Sequence, residues 1–172
     1  MTDAASPAPI GPLAEIAARL PLRGSLIGLD LGTKTIGVAT CDPDRRIATT
    51  VETVKRSKFT ADAERLIALA DERRAVGFVL GLPLNMDGSE GPRAQASRAF
   101  ARNFARLAGR PIAFWDERLS TAAVERGLIA ADMSRARRAA VVDQHAALFI
   151  LEGALDFLAG RAANTAGTEA ED

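Results

Sequence analysis

Residues 25–41 read SLIGLDLGTKTIGVATC, and the pattern of this segment is the strongest signal of the fold. Two apolar runs, residues 25–30 and 35–41, are joined by a short Leu-Gly-Thr-Lys segment, a pattern that predicts two antiparallel strands with a tight connection. Asp30 ends the first run. A carboxylate at the end of an apolar strand is costly unless it reaches water, a cation or a metal ion. Asp30 is therefore either a site residue or the residue that starts the turn.

The rest of the chain adds strands and helices in alternation. A Thr that can cap a helix, apolar stripes at helical spacing and Gly/Pro boundaries mark the elements. Strands are predicted at residues 47–54, 76–82 and 112–117, and helices at 60–74, 92–107, 121–129 and 139–159. The order β-β-β-α-β-α-β-α-α predicts an α/β domain with a mixed five-stranded sheet and helices on both faces.

The two ends of the chain differ from the middle. Residues 1–23 are rich in Ala and Pro and predict a flexible extension, apart from a short helix near residues 13–20. Residues 161–172 lack apolar periodicity and predict a disordered acidic tail. Residues 24–160 are then one domain, large enough for a continuous core.

Composition excludes several classes of protein. The single cysteine, Cys41, rules out an internal disulfide and a cysteine-cluster metal site, as is typical of a cytoplasmic protein. No apolar run approaches the roughly 20 residues of a membrane span, and a signal peptide is not expected. The net charge is zero, but acids are concentrated at the two ends, so the body is weakly basic and permits a phosphate-rich partner.

A second candidate functional segment is residues 81–95, which read GLPLNMDGSEGPRAQ. It follows a buried strand and precedes a helix, a common position for a ligand-binding loop in α/β sheets. Ser89 or Glu90 would lie near the start of the helix, where free backbone N–H groups favour a phosphate. The alternative interpretation is a Gly/Pro-rich connector with a capping residue.

Asp116 and Glu117 stand together at the end of the strand predicted at residues 112–117. Side chains of neighbouring strand residues point to opposite faces, so one of the two carboxylates is expected to face a site on the Asp30 side. The alternative is a solvated strand end followed by a helix cap.

Asp143 lies on the apolar stripe of the closing helix. It precedes Ala147, Ile150 and Ala154 at spacings of four, seven and eleven residues. A charge on a buried stripe is costly and therefore informative. The alternative to a site residue is a salt bridge to one of the nearby arginines.

Asp30, one acid of the pair at 116–117, and Asp143 can converge on one place. Clustered carboxylates repel each other unless a cation balances them, and Mg²⁺ prefers such oxygen ligands. Two ions about 4 Å apart can support hydrolysis of a phosphodiester bond, a chemistry that needs neither histidine nor cysteine.

The hairpin motif resembles two known groups, the first phosphate loop of actin and sugar kinases and the first strand of RNase H-like nucleases. The kinase-type fold needs two such domains, of the order of twice this length. Chain length therefore favours the RNase H-like fold.

The resemblance then becomes specific. Residues 28–39, 81–95, 116–121 and 135–151 together resemble the YqgF/RuvX family, whose members are described as pre-16S rRNA nucleases or Holliday-junction-resolvase-like proteins; residues 81–95 are the most specific part. The resemblance implies a cytoplasmic nuclease that acts in 5′-end processing of the 16S ribosomal RNA precursor with Mg²⁺ or Mn²⁺. It implies Asp30, Asp143 and an acid of the 116–117 pair as catalytic residues and metal ligands, and we favour Glu117 over Asp116.

Basic residues near these motifs are the expected nucleic-acid contacts: Lys34, Arg93, Arg135, Arg137 and Arg138. Two alternatives to the rRNA nuclease stay open, a Holliday-junction resolvase that acts on DNA and a non-catalytic RNA-binding assembly factor. A resolvase is expected to act as a symmetric dimer on a two-fold junction, whereas an rRNA nuclease can act as a monomer.

Overall fold

The computed structural model describes residues 5–119 and 135–169, without the side chains of residues 135–144, 168 and 169. It has six strands, β1 Ile10–Pro12, β2 Leu26–Leu31, β3 Thr35–Cys41, β4 Ala48–Lys55, β5 Gly77–Leu82 and β6 Ile112–Asp116. The helices are α1 Leu13–Ile16, α2 Phe59–Glu72, α3 Pro92–Ala108 and α4 Arg135–Glu169, with short 3-10 turns at Ala17–Arg19 and Glu117–Leu119.

The strands form one mixed sheet in the order β1-β6-β5-β2-β3-β4. β2, β3 and β4 are an antiparallel meander, and β5, β6 and β1 extend it as strands parallel to β2. The predicted hairpin and the mixed sheet are confirmed. The predicted number of strands, five, is wrong by one because β1 was missed.

Each face of the sheet carries its own core. On one face, Leu29 and Phe78 pack with the buried sides of α2 and α3, where Leu66 and Phe104 are almost fully enclosed. On the other face, Leu26 and other strand residues pack under α4 and α1. All six residues of β5 are buried, as its continuous apolar run predicts for a strand covered on both faces.

The N-terminal segment belongs to the sheet rather than to a flexible extension. Ile10 and Pro12 pair with β6, and the N–H of Ile112 donates to the carbonyl of Pro9 at 2.9 Å. Leu13 and Ile16 on α1 are buried against the core under α4. A three-residue strand rich in Gly and Pro has no alternating pattern, so only its pairing with β6 identifies it.

The closing helix is longer than predicted at both ends. α4 begins at Arg135 and continues to Glu169, into the segment expected to be disordered. The helix predicted at 121–129 lies outside the described residues. The division of the chain at residues 24 and 160 stays a prediction. Within the described residues, no helix is both long enough and apolar enough to cross a membrane.

Candidate active site

Asp30 lies at the carboxyl end of β2, on the face of the sheet that α4 covers. Its neighbours Leu29 and Leu31 are buried in the core on the α2/α3 face, and alternation along the strand turns Asp30 to the opposite face. The residue is half-buried. Because β2, β5 and β6 are parallel, their carboxyl ends meet at one edge of the sheet, so residues that follow β5 and β6 can approach Asp30.

Glu117 reaches this same face. Leu80 on β5 pairs with Leu29, so Gly81 and Asp30 are the next residues on two adjacent strands. A side chain built on Gly81 would place its Cβ 3.1 Å from Oε1 of Glu117 and 2.5 Å from Cδ1 of Ile150 on α4. The carboxylate of Glu117 therefore occupies space that a larger residue at position 81 would fill, on the strand beside Asp30.

Gly28 allows α4 to approach the sheet closely. A Cβ at this position would lie 2.8 Å from Cβ of Leu151 and 3.0 Å from the carbonyl oxygen of Ala147. Position 143 is one helical turn before Ala147, on the helix face that meets β2 and β5. The backbone thus brings this position to the sheet face that carries Asp30, while the Asp143 side chain lies outside the described residues.

Asp116 has a different role from Glu117, because it is engaged by Arg118. The guanidinium donates from Nη2 to Oδ2 at 2.7 Å and from Nε to Oδ1 at 3.0 Å, and the backbone N–H of Arg118 donates to Oδ1 at 3.0 Å. These hydrogen bonds lower the pKa of the Asp116 carboxyl below its usual value. The structure places the two carboxylates of the 116–117 pair in separate environments, and only Glu117 approaches Gly81.

Arg118 also holds the loop of residues 83–91. Its Nη1 donates to the carbonyl oxygens of Asn85 at 3.2 Å and Met86 at 3.1 Å. Within the loop, the N–H of Asn85 donates to the carbonyl of Ser89 at 2.9 Å. One side chain therefore ties this loop to the end of β6, directly beside Glu117. Sequence reasoning missed this residue, although the Asp-x-Arg spacing is a signal for such a pair.

Ser89 and Glu90, which were expected near the start of a helix, precede that helix and are bonded to other side chains. The hydroxyl of Ser89 donates to Oδ1 of Asp87, and Glu90 forms an ion pair with Arg98. The helix begins later, with Gly91 as the N-cap and Pro92 as its first residue. Ser89 and Glu90 are thus used within the structure, which agrees better with the connector interpretation of these two residues.

Arg118→Ala is expected to loosen this loop and to lower cleavage by about 10- to 100-fold, because small misplacements of positioning groups carry large rate costs. Amide hydrogen exchange over residues 85–89 should become faster than in the wild type. Arg102→Ala, on the exposed side of α3, is the matched control and should change neither quantity. Unchanged exchange in Arg118→Ala would mean that Arg118 does not position the loop.

The expected nucleic-acid contacts lie at the same edge or at the start of α4. Lys34 is exposed in the turn between β2 and β3, and Arg93 is exposed at the second residue of α3. Arg135, Arg137 and Arg138 lie in the first turn of α4, and their side chains are outside the described residues. Among the described side chains, no three His, Cys, Asp or Glu residues form a group that could hold a metal ion. Asp143 is not among those side chains.

Comparison with known proteins gives the family. A family model described as "RuvX: Holliday junction resolvase" matches residues 24–157. A relative from Rhodopseudomonas palustris (strain BisB5), called "Putative pre-16S rRNA nuclease", is 71% identical over 161 residues, which are 94% of this chain and 99% of the relative. A relative of the same name from Nitrobacter winogradskyi is 72% identical over 153 residues, which are 89% of this chain and 94% of the relative.

A solved structure supports the fold. RuvC from Thermus thermophilus, in complex with a Holliday junction substrate, superimposes with a TM-score of 0.52 and 13% sequence identity; the match covers 81% of this chain and 96% of RuvC. The RNase H-like fold predicted from the sequence is confirmed. With the family model and the close relatives, these observations show that the chain belongs to the RuvX family of nucleases.

Proposed function

We propose that this protein is a divalent-metal-dependent endonuclease that hydrolyses phosphodiester bonds in the precursor of 16S ribosomal RNA, in the processing of its 5′ end. The observation that carries the proposal is the position of the Glu117 carboxylate over Gly81, on the strand next to Asp30 and on the face covered by α4. The names of the close relatives supply the substrate.

The proposed catalytic residues and metal ligands are Asp30, Glu117 and Asp143. All three offer carboxylate oxygens, the donors that Mg²⁺ and Mn²⁺ prefer. Asp30 lies at the carboxyl end of β2 and Glu117 follows β6, with β5 between them, but the Glu117 carboxylate lies over Gly81 on β5, beside Asp30. Two negative charges on the same side of the sheet favour a shared cation. When bound, a divalent cation lowers the pKa of an attacking water and stabilises the leaving oxygen.

The remaining residues have proposed roles in holding the substrate and the loop. Lys34 and Arg93 offer exposed positive charge at the Asp30 edge. Arg135, Arg137 and Arg138 begin the helix that carries Asp143 and are proposed as further contacts to phosphates. Arg118 is a positioning residue, since it contacts Asp116 and the loop of residues 83–91. A cytoplasmic location fits a substrate that is an RNA precursor.

A second candidate is a Holliday-junction resolvase. The description of the matching family model favours it, and the same three acids would serve on DNA. A resolvase would be a homodimer, because a four-way junction offers two equivalent strands, whereas the rRNA nuclease can act as a monomer. Oligomeric state in solution therefore helps to separate the two candidates.

The two candidates are tested with a panel of substrates in Mg²⁺ and in Mn²⁺. The panel contains a precursor RNA that spans the 5′ end of 16S rRNA, a four-way DNA junction, and single-stranded RNA and DNA controls. Cleavage of the precursor RNA at a defined position, with the junction left intact, is the expected result. Symmetric cleavage of the junction with no cleavage of RNA would favour the resolvase. No cleavage of any substrate would favour an assembly factor that binds RNA.

A further inference from the structure

A cluster of basic side chains lies where β4 ends, beside the turn that follows Asp30. Residues 53–60 contain Lys55, Arg56 and Lys58 and no acid. Lys55 pairs with Thr35 at the start of β3, which brings it next to Lys34 in the turn. We call these four residues, Lys34, Lys55, Arg56 and Lys58, the basic edge.

Lys55 stands on the same face of the sheet as Asp30. Val54 is buried in the core on the α2/α3 face, so the next residue along β4 turns to the α4 face. The register aligns Asp30 with Gly37 on β3, and Gly37 with Thr53 on β4. With strands about 4.8 Å apart and a rise of about 3.4 Å per residue, the Cα atom of Lys55 is about 12 Å from that of Asp30.

The backbone that carries the basic edge is fixed by hydrogen bonds. Nη1 of Arg56 donates to the carbonyl of Gly32 at 2.7 Å, and the N–H of Arg56 donates to the carbonyl of Lys34 at 2.9 Å. The buried carboxylate of Asp62 accepts from the N–H of Ser57 at 3.0 Å and from its hydroxyl at 3.2 Å. The β4–α2 connection is therefore held in place before any ligand arrives, which reduces the entropic cost of binding.

The charges of the basic edge are not neutralised within the described part of the chain. The ion pairs among the described residues join other side chains. None of them links a carboxylate to Lys34, Lys55, Arg56 or Lys58. The nearest acid on β4, Glu52, is already paired with Arg65 at 2.6 Å. A guanidinium has five N–H donors, and the contact from Arg56 to Gly32 uses one of them.

From this arrangement we propose that the basic edge binds the phosphodiester backbone of a nucleic-acid strand and guides it across β3 and β4 to the acids around Asp30. The inference rests on the proposed function only in taking a nucleic acid as the ligand. Lysine contacts to phosphate carry no sequence information, so this surface supplies affinity and strand position rather than recognition of bases.

The test compares two double variants that remove equal charge. Lys55→Gln/Lys58→Gln removes two exposed residues of the basic edge, and Arg73→Gln/Arg106→Gln removes two exposed residues at the far ends of α2 and α3. Binding of fluorescently labelled single-stranded RNA and single-stranded DNA of equal length is measured in EDTA, so that no strand is cleaved. The salt concentration is varied in each titration, and far-ultraviolet circular dichroism checks that each variant is folded.

The basic-edge variant should show a slope of log K against log salt that is shallower by about 1.4, or about 0.7 for each lost contact to a single strand. The same relation predicts affinity lower by about 25-fold at 0.1 M salt. The control variant should keep the wild-type slope, and Lys55→Arg/Lys58→Arg should restore it. The slopes for RNA and DNA should change by the same amount if only phosphates are bound. A change confined to RNA would mean that the lysines contact 2′-hydroxyl groups, and it would overturn the proposal of a phosphate-binding surface.

Equal losses in the basic-edge and control variants would overturn the proposal, because net charge rather than place would then decide affinity. An unchanged slope in the basic-edge variant would also overturn it while leaving the nuclease proposal intact. If the wild type binds neither single strand at any salt concentration, this inference fails, whereas the proposed function is judged separately by cleavage of the precursor RNA.

Discussion

Glu117→Gln is expected to lower the rate of cleavage by about 10³-fold or more, because removal of an anionic metal ligand forfeits several kcal/mol of charge stabilisation. Asp116→Asn is expected to retain most of the activity. The two residues are neighbours in sequence, yet Glu117 lies over Gly81 beside Asp30, while Asp116 is engaged by Arg118. An asparagine at position 116 still offers an oxygen to Arg118, so the loop of residues 83–91 should stay in place.

The measurement is single-turnover cleavage of the precursor RNA at saturating enzyme, with binding measured separately in EDTA. Binding by Glu117→Gln should equal that of the wild type or exceed it, because a negative charge near the phosphates is removed. If Asp116→Asn were inactive and Glu117→Gln active, the assignment of the two acids would be reversed. The role of Glu117 would then be structural.

Asp143→Asn is expected to abolish hydrolysis to a similar degree without loss of stability. The substitution keeps size and shape and removes one anionic ligand. In the absence of metal, the free energy of unfolding should stay the same or rise, since repulsion among Asp30, Glu117 and Asp143 is reduced. A buried salt bridge at Asp143 predicts the opposite, a loss of about 3–5 kcal/mol, because an arginine would be left unpaired.

Denaturant unfolding in EDTA, beside cleavage assays in Mg²⁺, separates these two roles of Asp143. The predicted pattern is an inactive protein that is as stable as the wild type. A variant that is strongly destabilised but cleaves normally when folded would rule out a catalytic role. Asp156→Asn, an exposed acid on the same helix, is the control and should change neither stability nor cleavage.

The core of the fold could be predicted from sequence because its signals are local. The hairpin around Asp30 combines two apolar runs with a short connection, and β5 is a continuous apolar run. β1 could not be predicted in this way, since Ile10–Pro12 is a strand only through its pairing with β6. The extent of α4 was underestimated because its last turns, residues 161–169, have no apolar stripe.

The site was predictable in its parts but not in its arrangement. Sequence alone identified the acids and left Asp116 and Glu117 as alternatives, because strand alternation says that they differ without saying which one faces Asp30. In the structure, the Glu117 carboxylate lies over Gly81, beside Asp30, and this position distinguishes Glu117 from Asp116. The hydrogen bonds from Arg118 to the carbonyl oxygens of Asn85 and Met86 join residues more than 30 positions apart, and no local pattern specifies such a contact.

Metal-dependent hydrolysis by the acids around Asp30 is tested most directly by single-turnover cleavage of the precursor RNA with wild-type protein and with Asp30→Asn, purified in parallel. Each protein is assayed in Mg²⁺ and in EDTA, and RNA binding is recorded for both. The predicted result is cleavage at a defined site by the wild type in Mg²⁺ only, with Asp30→Asn inactive in both conditions yet still bound to RNA. Equal cleavage by Asp30→Asn, or by the wild type in EDTA, would contradict it.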